Sequence, residues 1–356
     1  MKLNSRKIIF ALIVVAVVIC GSVQAQSLLD LPRASQKAQV SQRVGLTDIT
    51  IVYSRPLVNG RKIFGSLVPY GDVWRAGANE NTTIEFTDPV TIEGQAVPKG
   101  VYGLHMIPKE NEWTIILSRV NTAWGSFTYD QKEDVARVTV KPQTSDMHEA
   151  LSYDFDTVSP DSTTVTLRWD RVAVPFKVAV DQKQLVPAHL KAQLRGGMRY
   201  TWEGWAEASQ ELLTDKVDLE DALKYADESI RQEKRFDTLM LKADVLDAMG
   251  RASDSKPLRA EAMPMGNALQ INSYGRQLQR AGKQDEAFEV FKLNAKRNPD
   301  HFIVHYEEAR MLVAKGDYDS AQKEMQIAVT KSSPDIKPFF EGLMKRLQNK
   351  EDINKN

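Results

Sequence analysis

The chain has little of the residues that most often carry catalytic or cofactor chemistry. Its 356 residues include one cysteine and five histidines, and 47 Lys and Arg residues balance 47 Asp and Glu residues. A single cysteine allows no internal disulfide and no cluster of thiolate metal ligands. The balanced charge provides no excess of cations for a phosphate backbone, so binding to nucleic acid is not expected.

The motifs of common catalytic and nucleotide-binding sites are also missing. There is no G-x-S-x-G element for a serine nucleophile, no G-x-G-x-x-G loop and no Walker A sequence. His301 and His305 have the spacing of a zinc site, but Phe302 stands where the H-E-x-x-H motif has its glutamate. The sequence therefore predicts no metal and no cofactor, and its scattered carboxylates identify no acid–base pair.

The first 25 residues have the three parts of a secretory signal peptide. These parts are a basic stretch with Lys2, Arg6 and Lys7, an apolar run at 8–19, and small residues at 23–25. Twelve apolar residues are short for a membrane span, which needs about 20. We expect cleavage after Ala25 and export to the periplasm or the cell exterior, with an N-terminal membrane anchor as the alternative. Cleavage would also remove Cys20 and three cations, leaving 44 basic and 47 acidic residues and no membrane span.

From about residue 47 to residue 180, the hydrophobic pattern repeats every two residues, as in strands with one buried face. In the run 163–169, Val165 and Leu167 alternate with Thr164 and Thr166. Three runs lie between 90 and 119, and further strands are predicted at 49–53, 82–86, 135–140, 151–158 and 171–180. Eight or nine short strands without a long helical pattern predict an antiparallel β-sandwich-like domain, with a barrel as the alternative.

After Pro187 the period changes to that of helices. The predicted segments are a signal peptide at 1–25, a β-rich domain at 26–183, a linker with a first helix at 184–202, helical repeats at 203–349 and a polar tail at 350–356. Within the repeats we expect helix pairs near 203–236, 237–267, 268–301 and 302–335, and a closing helix at 337–349. Pro257 and Pro264 interrupt the second of these pairs.

An internal repeat of 34 residues is the most specific signal in the chain. It relates Gly275 to Ala309, Leu278 to Leu312, Gly282 to Gly316, Ala287 to Ala321, and Phe291 to Met325. Ala287, Phe291 and Pro299 form an A-x₃-F…P element, and the repeat resembles the tetratricopeptide (TPR) family, although Ser333 replaces the second expected proline. This resemblance implies stacked helix pairs whose concave surface holds a protein partner. A spacer or a dimerisation element is the alternative.

A second resemblance covers about residues 30–180. Its most distinctive runs are Gly60-Arg61-Lys62-Ile63-Phe64-Gly65, Val73-Trp74-Arg75-Ala76-Gly77-Ala78-Asn79 and Trp113-Thr114-Ile115-Ile116-Leu117. This pattern resembles the bacterial domain-of-unknown-function 2911 family. The resemblance implies mostly β structure and export, and it brings neither an assigned activity nor catalytic residues.

The same stretch combines cations with aromatic and amide side chains. The candidate ligand-binding residues are Arg55, Arg61, Lys62, Tyr70, Trp74, Arg75, Asn79, Trp124 and Tyr129, with Phe127 beside the last two. Arginine forks next to aromatic faces suit a small polar, anionic or glycan ligand. In the alternative interpretation, the polar side chains satisfy the backbone of a long connection and Trp74 packs in the core.

Local geometry sets a condition on this candidate site. Trp74 and Arg75 are adjacent, so they line one pocket only if residues 71–81 form an irregular loop with Arg75 and Asn79 open to solvent. His105 lies between two apolar residues of a predicted strand, and we expect it at the surface or facing a ligand rather than acting as a base.

These observations predict an exported, non-enzymatic binding or adaptor protein. The β domain would recognise a small polar, anionic or glycan ligand, and the repeats would dock a protein partner. One alternative is an envelope hydrolase acting on glycans, and another is a structural adaptor without a small ligand. Convergence of the predicted arginines with Trp74 and Asn79 on one open cavity favours a ligand site, whereas their burial favours the structural adaptor.

Overall fold

A computed structural model describes residues 32–355, which form two compact units, 32–182 and 183–355. The predicted signal peptide and its cleavage site lie outside the described residues. Among the helices of the described residues, none is long and apolar enough to cross a membrane.

The first unit contains ten β-strands in two antiparallel sheets. The strands are β1 Gln36–Val44, β2 Thr47–Arg55, β3 Thr83–Phe86, β4 Val90–Ile92, β5 Gln95–Val97, β6 Gly100–Pro108, β7 Trp113–Ser118, β8 Asp134–Val140, β9 Gln143–Phe155 and β10 Ser162–Ala179. One sheet has the order β1-β2-β3-β6-β7-β8, and the other has the order β5-β4-β10-β9. The unit is therefore antiparallel β, as predicted.

An aromatic cluster links the two sheets. Trp113 belongs to the six-stranded sheet, Trp169 belongs to the four-stranded sheet, and both are buried. Phe64 lies edge-on to both rings, with centroid distances of 5.0 and 6.0 Å. Trp74 stacks on Trp169 at 5.8 Å. Because the inner faces of the two sheets pack on each other, buried and more exposed side chains alternate along the strands.

The structure differs from the predicted strands in two places. The runs 163–169 and 171–180 belong to one strand, β10, because Asp170 adopts a left-handed φ of 56° and register shifts on both sides of it absorb the irregularity. Strand β1 was not predicted, because its sequence is largely polar. It is an edge strand with only one neighbour, β2, so its outward side chains stay in water.

The second unit is built from ten α-helices. They are α1 Gln182–Gln193, α2 Trp202–Asp215, α3 Leu219–Gln232, α4 Phe236–Ala248, α5 Ala252–Ala262, α6 Ala268–Arg280, α7 Gln284–Arg297, α8 Phe302–Ala314, α9 Tyr318–Lys331 and α10 Lys337–Gln348. Helices α2 to α9 form four successive pairs and α10 packs on α9, which is the arrangement of a TPR-like array.

The repeat positions lie at the crossings of the helices. Ala287 of α7 and its repeat equivalent Ala321 of α9 are fully buried. Gly275 of α6 lies against the ring of Phe291, and a β-carbon there would overlap that ring. Small residues at these positions let two helices approach closely, which explains the 34-residue pattern.

The prediction that Pro257 interrupts the second pair is wrong. Pro257 lies inside α5, and Pro264 lies in the short 3₁₀ turn that follows the helix. A proline removes one main-chain hydrogen bond from a helix. Because α5 still packs along α4 and buries Ala262 completely, tertiary packing maintains the helix through the proline.

Candidate ligand site and repeat groove

Two loops of the β unit pair with each other beside strand β6. The Asn81 amide N–H donates to the Ala123 carbonyl oxygen at 3.0 Å, and the Gly125 N–H donates to the Asn79 carbonyl oxygen at 3.2 Å. The Asn81 side chain adds a hydrogen bond, because its Oδ1 accepts from the Ala123 N–H at 2.7 Å. The loop segments 75–81 and 123–127 are thus held together by main-chain pairing.

The first loop is irregular, as the candidate site required. Ala76 and Asn79 have left-handed φ angles of 52° and 61°, and the stretch 75–82 forms no regular strand. Asparagine tolerates this conformation better than most residues do, whereas alanine is strained there. The Asn79 side chain also donates from Nδ2 to the Ser35 carbonyl oxygen at 3.1 Å, which fixes the turn.

Arg75 and Trp74 lie on opposite sides of this loop. Trp74 exchanges two main-chain hydrogen bonds with Met106 of β6, both at 2.8 Å, and its ring packs between the sheets. Arg75 points the other way, because its Nη1 lies 3.4 Å from the position that a β-carbon on Gly125 would occupy. The prediction that the two side chains converge on one pocket is therefore wrong, because residues 73–75 are extended beside Met106 and successive residues of an extended segment face opposite directions.

The Arg75 guanidinium is half-buried and unpaired. Its Nε is fully buried without a hydrogen-bond partner, and no residue in the described part of the chain forms an ion pair with it. Burial lowers the pKa of Arg75, and no neighbouring carboxylate opposes that shift. The ring of Phe127, which is 84% exposed, lies 2.8 Å from the same β-carbon position on Gly125. A bare guanidinium thus lies beside an exposed aromatic ring.

A second set of side chains lies along the same loop pair. The guanidinium carbon of Arg33 lies 5.3 Å from the centroid of the exposed Trp124 ring, and Arg33 Nη1 is 2.5 Å from Glu80 Oε1. Backbone hydrogen bonding lowers the pKa of Glu80, and Arg33 contributes to the same shift. Next to them is a cavity of about 550 Å³ that Asn79 and Lys37 help to line. Here Arg33 is paired with Glu80, and Lys37 adds a further cation to the lining of the cavity.

His105 is buried beneath the second loop, so the prediction of a surface or ligand-facing side chain is wrong. Its Nδ1 is 2.9 Å from Ser126 Oγ and its Nε2 is 3.4 Å from Asn81 Nδ2. Burial lowers the pKa of His105 to about 4, so the imidazole is neutral at pH 7. The loop 119–133 covers the outer face of β6, which explains why a strand position that should face water does not.

The hydrogen bonds of Asn81 also determine the tautomer of His105. Because Asn81 Oδ1 accepts from Ala123, its Nδ2 faces the imidazole, and Nε2 of His105 must accept. Nδ1 then carries the proton and donates to Ser126. In this arrangement His105 does not accept a proton from the serine hydroxyl, so the pair does not form an activated nucleophile.

Tyr129 belongs to a hydrogen-bonded group at the far end of that loop. Its hydroxyl donates to Asp134 Oδ2 at 2.7 Å, and Arg137 Nη1 donates to both of these oxygens at 2.9 and 3.0 Å. Burial and the hydrogen bond with Asp134 raise the pKa of Tyr129 to about 12. The predicted ligand residue Tyr129 is thus paired within the protein, and it anchors the loop to β8.

The remaining predicted residues have other surroundings. Arg55 donates from Nε to the Leu151 carbonyl oxygen at 2.9 Å, and Arg61 donates to the carbonyl oxygens of Val58 and Leu57. Lys62 is exposed, and Tyr70 packs over Gly65 beside a small cavity of about 140 Å³. Of the predicted set, only Arg75, Asn79 and Trp124 lie on the paired loops 75–81 and 123–127, and their side chains have different neighbours there.

The helical unit carries a second polar cluster that the sequence did not reveal. Arg310 of α8 is 1% exposed, and its guanidinium donates to Gln279 of α6, to the Tyr306 hydroxyl, and to the carbonyl oxygens of Ile353 and Asn354. The polar tail therefore does not extend into solvent. Ile353, the one aliphatic residue of the tail, is buried, and this isolated apolar residue was the only sequence signal of the contact.

Nearer the start of the array, the surface formed by α2, α4 and α6 is open. Two adjoining cavities of about 450 and 480 Å³ share Gln210, Asp244, Tyr274 and Gln277. Asp244 and Asp247 pair with Arg259 at 2.8 and 2.5 Å. No tail segment occupies this part of the groove among the described residues.

Comparisons with known proteins give one family match and distant structural similarities. Residues 35–178 match the family described as "Protein of unknown function (DUF2911)", so the β unit resembles that family as its motifs predicted. Two solved structures similar to the chain are the APC/C hetero-tetramer Cut9-Hcn1 and YrrB, "a TPR protein with an unusual peptide-binding site". No curated protein matches the chain.

These structural similarities are distant. The Cut9-Hcn1 match has 15% identity and a TM-score of 0.32, and it covers 48% of this chain and 34% of that chain. The YrrB match has 16% identity and a TM-score of 0.28, and it covers 46% of this chain and 84% of that chain. The chain thus spans about a third of the length of the first structure.

Proposed function

We propose that this chain is an exported, non-enzymatic binding protein. In this proposal its β unit holds a small anionic ligand at Arg75, and its TPR-like repeats dock a protein segment. The concave surface of stacked helix pairs supports protein–protein interaction as the general role of the helical unit. Export rests on the sequence of residues 1–25. N-terminal sequencing of the protein from fractionated cells tests it, and a product in the inner membrane that still begins at Met1 would contradict it.

The unpaired guanidinium of Arg75 is the observation that carries the ligand proposal. A buried N–H group without an acceptor costs about 1–3 kcal/mol, and the cost is larger for a charged group. Within the described residues, the protein supplies no acceptor to Arg75 Nε and no carboxylate to its charge. An anion at the Nη groups, which are not buried, would supply the missing counter-charge, whereas Nε has no contact with solvent.

The surroundings of Arg75 favour an anion that also carries a ring. Phe127 is largely exposed and lies beside the same glycine, so an apolar ring face is available next to the charge. A guanidinium binds a carboxylate through two parallel hydrogen bonds, and a sugar ring packs on an aromatic face. A sugar acid such as a hexuronate combines the two features.

The hydrolase alternative receives less support from the same region. His105 is neutral, buried and oriented as a donor towards Ser126, which leaves this pair without a general base. The structural adaptor would require Arg75 to be paired within the protein, and none of residues 32–355 pairs with it. We therefore prefer a binding role.

Binding assays with matched ligands test the proposal. Glucuronate carries both the ring and the carboxylate, glucose has the ring alone, and inorganic phosphate has the charge alone. We expect glucuronate to bind the full chain more tightly than either control, and Arg75→Ala to abolish this binding. Lys99→Ala removes an exposed cation in a distant turn and should leave it unchanged. Equal glucuronate binding by the Arg75→Ala chain would contradict the site.

A further inference from the structure

The segment that follows the last helix is bound along three helices of the array. Ile353 and Asn354 contact Arg310 of α8, Asn354 Oδ1 accepts from Gln279 of α6 at 3.2 Å, and Arg346 of α10 donates to the Asp352 carbonyl oxygen at 3.0 Å. Helices α6, α8 and α10 occupy equivalent first positions in successive units of the array. The segment thus crosses three units rather than capping one helix.

Residues 352–355 of the tail form a turn, and the apolar side chain of Ile353 lies within it. The Lys355 N–H donates to the Asp352 carbonyl oxygen at 3.3 Å, and the Asn354 N–H donates to Asp352 Oδ1 at 2.8 Å. Asparagine and aspartate favour such turns because their side chains bond to nearby main-chain groups. Ile353 is 3% exposed and packs in the buried cluster that contains Phe340, Leu343 and Leu347.

Most polar contacts of the groove are directed at the main chain of the segment. Arg310 Nη1 donates to the Ile353 carbonyl oxygen at 2.7 Å, and Arg346 Nη2 donates to the Lys355 carbonyl oxygen at 3.1 Å. In return, Asn354 Nδ2 donates to the Arg310 carbonyl oxygen at 3.0 Å. Two arginines that donate to peptide carbonyls, next to a pocket for one aliphatic side chain, form the kind of arrangement that holds a peptide.

Closing the last helix does not require these contacts. The Asn349 N–H donates to the Lys345 carbonyl oxygen, the Lys350 N–H to the Leu347 carbonyl oxygen and the Glu351 N–H to the Arg346 carbonyl oxygen. Lys350 has a left-handed φ of 56°, the conformation in which helices commonly end. The helix end is therefore satisfied before Asp352, and the contacts of 352–355 are additional to it.

We propose that the groove formed by α6, α8 and α10 is a peptide site whose resident occupant is the C-terminal turn 352–355. The partner it fits is a protein segment that forms the same turn, with an aliphatic residue between an aspartate and an asparagine. This inference rests on the proposed docking role of the repeats. The turn 352–355 would compete with the partner segment for the groove.

The tail must then weaken binding of any external segment. A ligand joined by a short link has an effective concentration in the millimolar range or above, so a free peptide competes poorly with it. Releasing the tail removes the competitor without changing the groove residues. The intact chain and a released chain should therefore differ in affinity for the same peptide.

The test uses the full chain and a fluorescein-labelled peptide with the sequence of residues 349–356. In Ile353→Asp the tail carries a charge where the pocket is apolar, so we expect this chain to bind the peptide at least tenfold more tightly than the wild type. Lys355→Ala is the matched control, because the Lys355 side chain is exposed at the same turn. It should bind the peptide as weakly as the wild type does. A peptide with aspartate in place of isoleucine should bind none of the chains.

A second variant covers the case in which Ile353→Asp does not fold. A chain that ends at Glu351 keeps the hydrogen bonds that close α10 but lacks the turn 352–355, and it should also bind the peptide at least tenfold more tightly than the wild type. Equal or undetectable binding by folded wild-type and tail-released chains overturns the proposal. Loss of cooperative melting in both variants also overturns it, because the tail would then be part of the core. Glucuronate binding by the same chains tests the ligand site of the β unit, so failure of the groove proposal can be distinguished from failure of the ligand proposal.

Discussion

Each unit contains one buried or half-buried arginine, and the two differ in whether the protein supplies hydrogen-bond acceptors for the guanidinium. Arg310 lies almost completely out of water, and four groups of the helical unit accept hydrogen bonds from it. Arg75 is half-buried, and in the part of the chain described by the structure no group accepts from it. Burial lowers the pKa of both residues. The protein completes the hydrogen bonds of Arg310 by itself, whereas no described residue completes those of Arg75, which is where we propose that a ligand binds.

The largest expected effect comes from removing the completed arginine. Arg310→Met deletes several charge-assisted hydrogen bonds and leaves their acceptors buried, so the free energy of unfolding should fall by on the order of 4 kcal/mol. Urea denaturation followed by helical circular dichroism measures the change. Arg280→Met, on the exposed face of α6, should change stability by less than about 0.5 kcal/mol. Similar stability of the two variants would mean that the Arg310 network contributes little.

The second effect compares the pH dependence of the two units. Glu307 of α8 is buried, its Oε1 accepts from Asn272 and Asn294, and burial raises its pKa to about 7. Its protonated form is the one favoured by folding. The contribution of Glu307 to the free energy of unfolding is therefore complete below pH 4.5, and it is lost as the pH rises to 7. At 1.36 kcal/mol per pKa unit, the loss is about 3 kcal/mol.

His105 gives the free energy of unfolding of the β unit the opposite dependence on pH. Its pKa falls to about 4 through burial, although Asp134 acts in the other direction and Tyr129 lies against its ring. The neutral form is favoured by folding, so this stability is present above pH 6.5 and is lost as the pH falls to 4. Unfolding curves of the separate units between pH 4 and 7 check both signs. Glu307→Gln should flatten the helical curve, and parallel slopes in the two units would contradict the assignment.

A third and smaller effect tests whether the units respond independently. Ala287→Trp inserts a large side chain at the closest approach of α6 and α7, and such overpacking costs about 1–3 kcal/mol or more. The melting temperature of the helical unit should fall while that of the β unit stays the same. Glu289→Trp places the same side chain on the exposed face of α7 and serves as the control. An unchanged melting curve for Ala287→Trp would show that the repeat register is wrong.

The smallest expected effect returns to the unpaired arginine. Arg75→Ala removes no hydrogen bond or ion pair within the described residues, and it also removes a buried N–H group that lacks an acceptor. The free energy of unfolding should therefore fall by no more than about 0.5 kcal/mol, and the melting temperature should not fall by more than a few degrees. A large loss of stability would identify Arg75 as a structural cation, and the ligand site would have to be abandoned.

The sequence predicted the helical unit more completely than it predicted the β unit. The 34-residue pattern of Ala287 and Ala321 reflects contacts between neighbours in the chain, which a period reveals directly. The pairing of Asn81 with residues 123–125 joins segments about 40 residues apart, and no local pattern encodes it. Strand alternation therefore indicated the class of the β unit, but it could not give the strand order or the loop that covers His105.

The candidate site was also only partly predictable, because the sequence reveals local turns but not tertiary contacts. The glycines and asparagines at 71–81 indicated an irregular loop, which the structure has, but Arg75 and Asn79 are partly buried rather than open to solvent as the site required. That Trp74 packs between the sheets while Arg75 faces loop 123–127 depends on the pairing with Met106, which is a tertiary contact. The binding of the tail to Arg310 was equally hidden, because residues 350–356 are polar except for Ile353.

The most direct test of the ligand site observes the Arg75 side chain itself. In ¹⁵N–¹H spectra of the arginine Nε–H groups, the Arg75 signal is assigned by its absence from the Arg75→Lys spectrum. We expect titration with glucuronate to shift this signal, because an anion bound at the Nη groups changes the environment of the whole guanidinium, and to leave the Arg310 signal unchanged. Glucose should shift neither signal. A glucuronate titration that leaves the Arg75 signal in place would contradict the claim that the β unit holds an anion there.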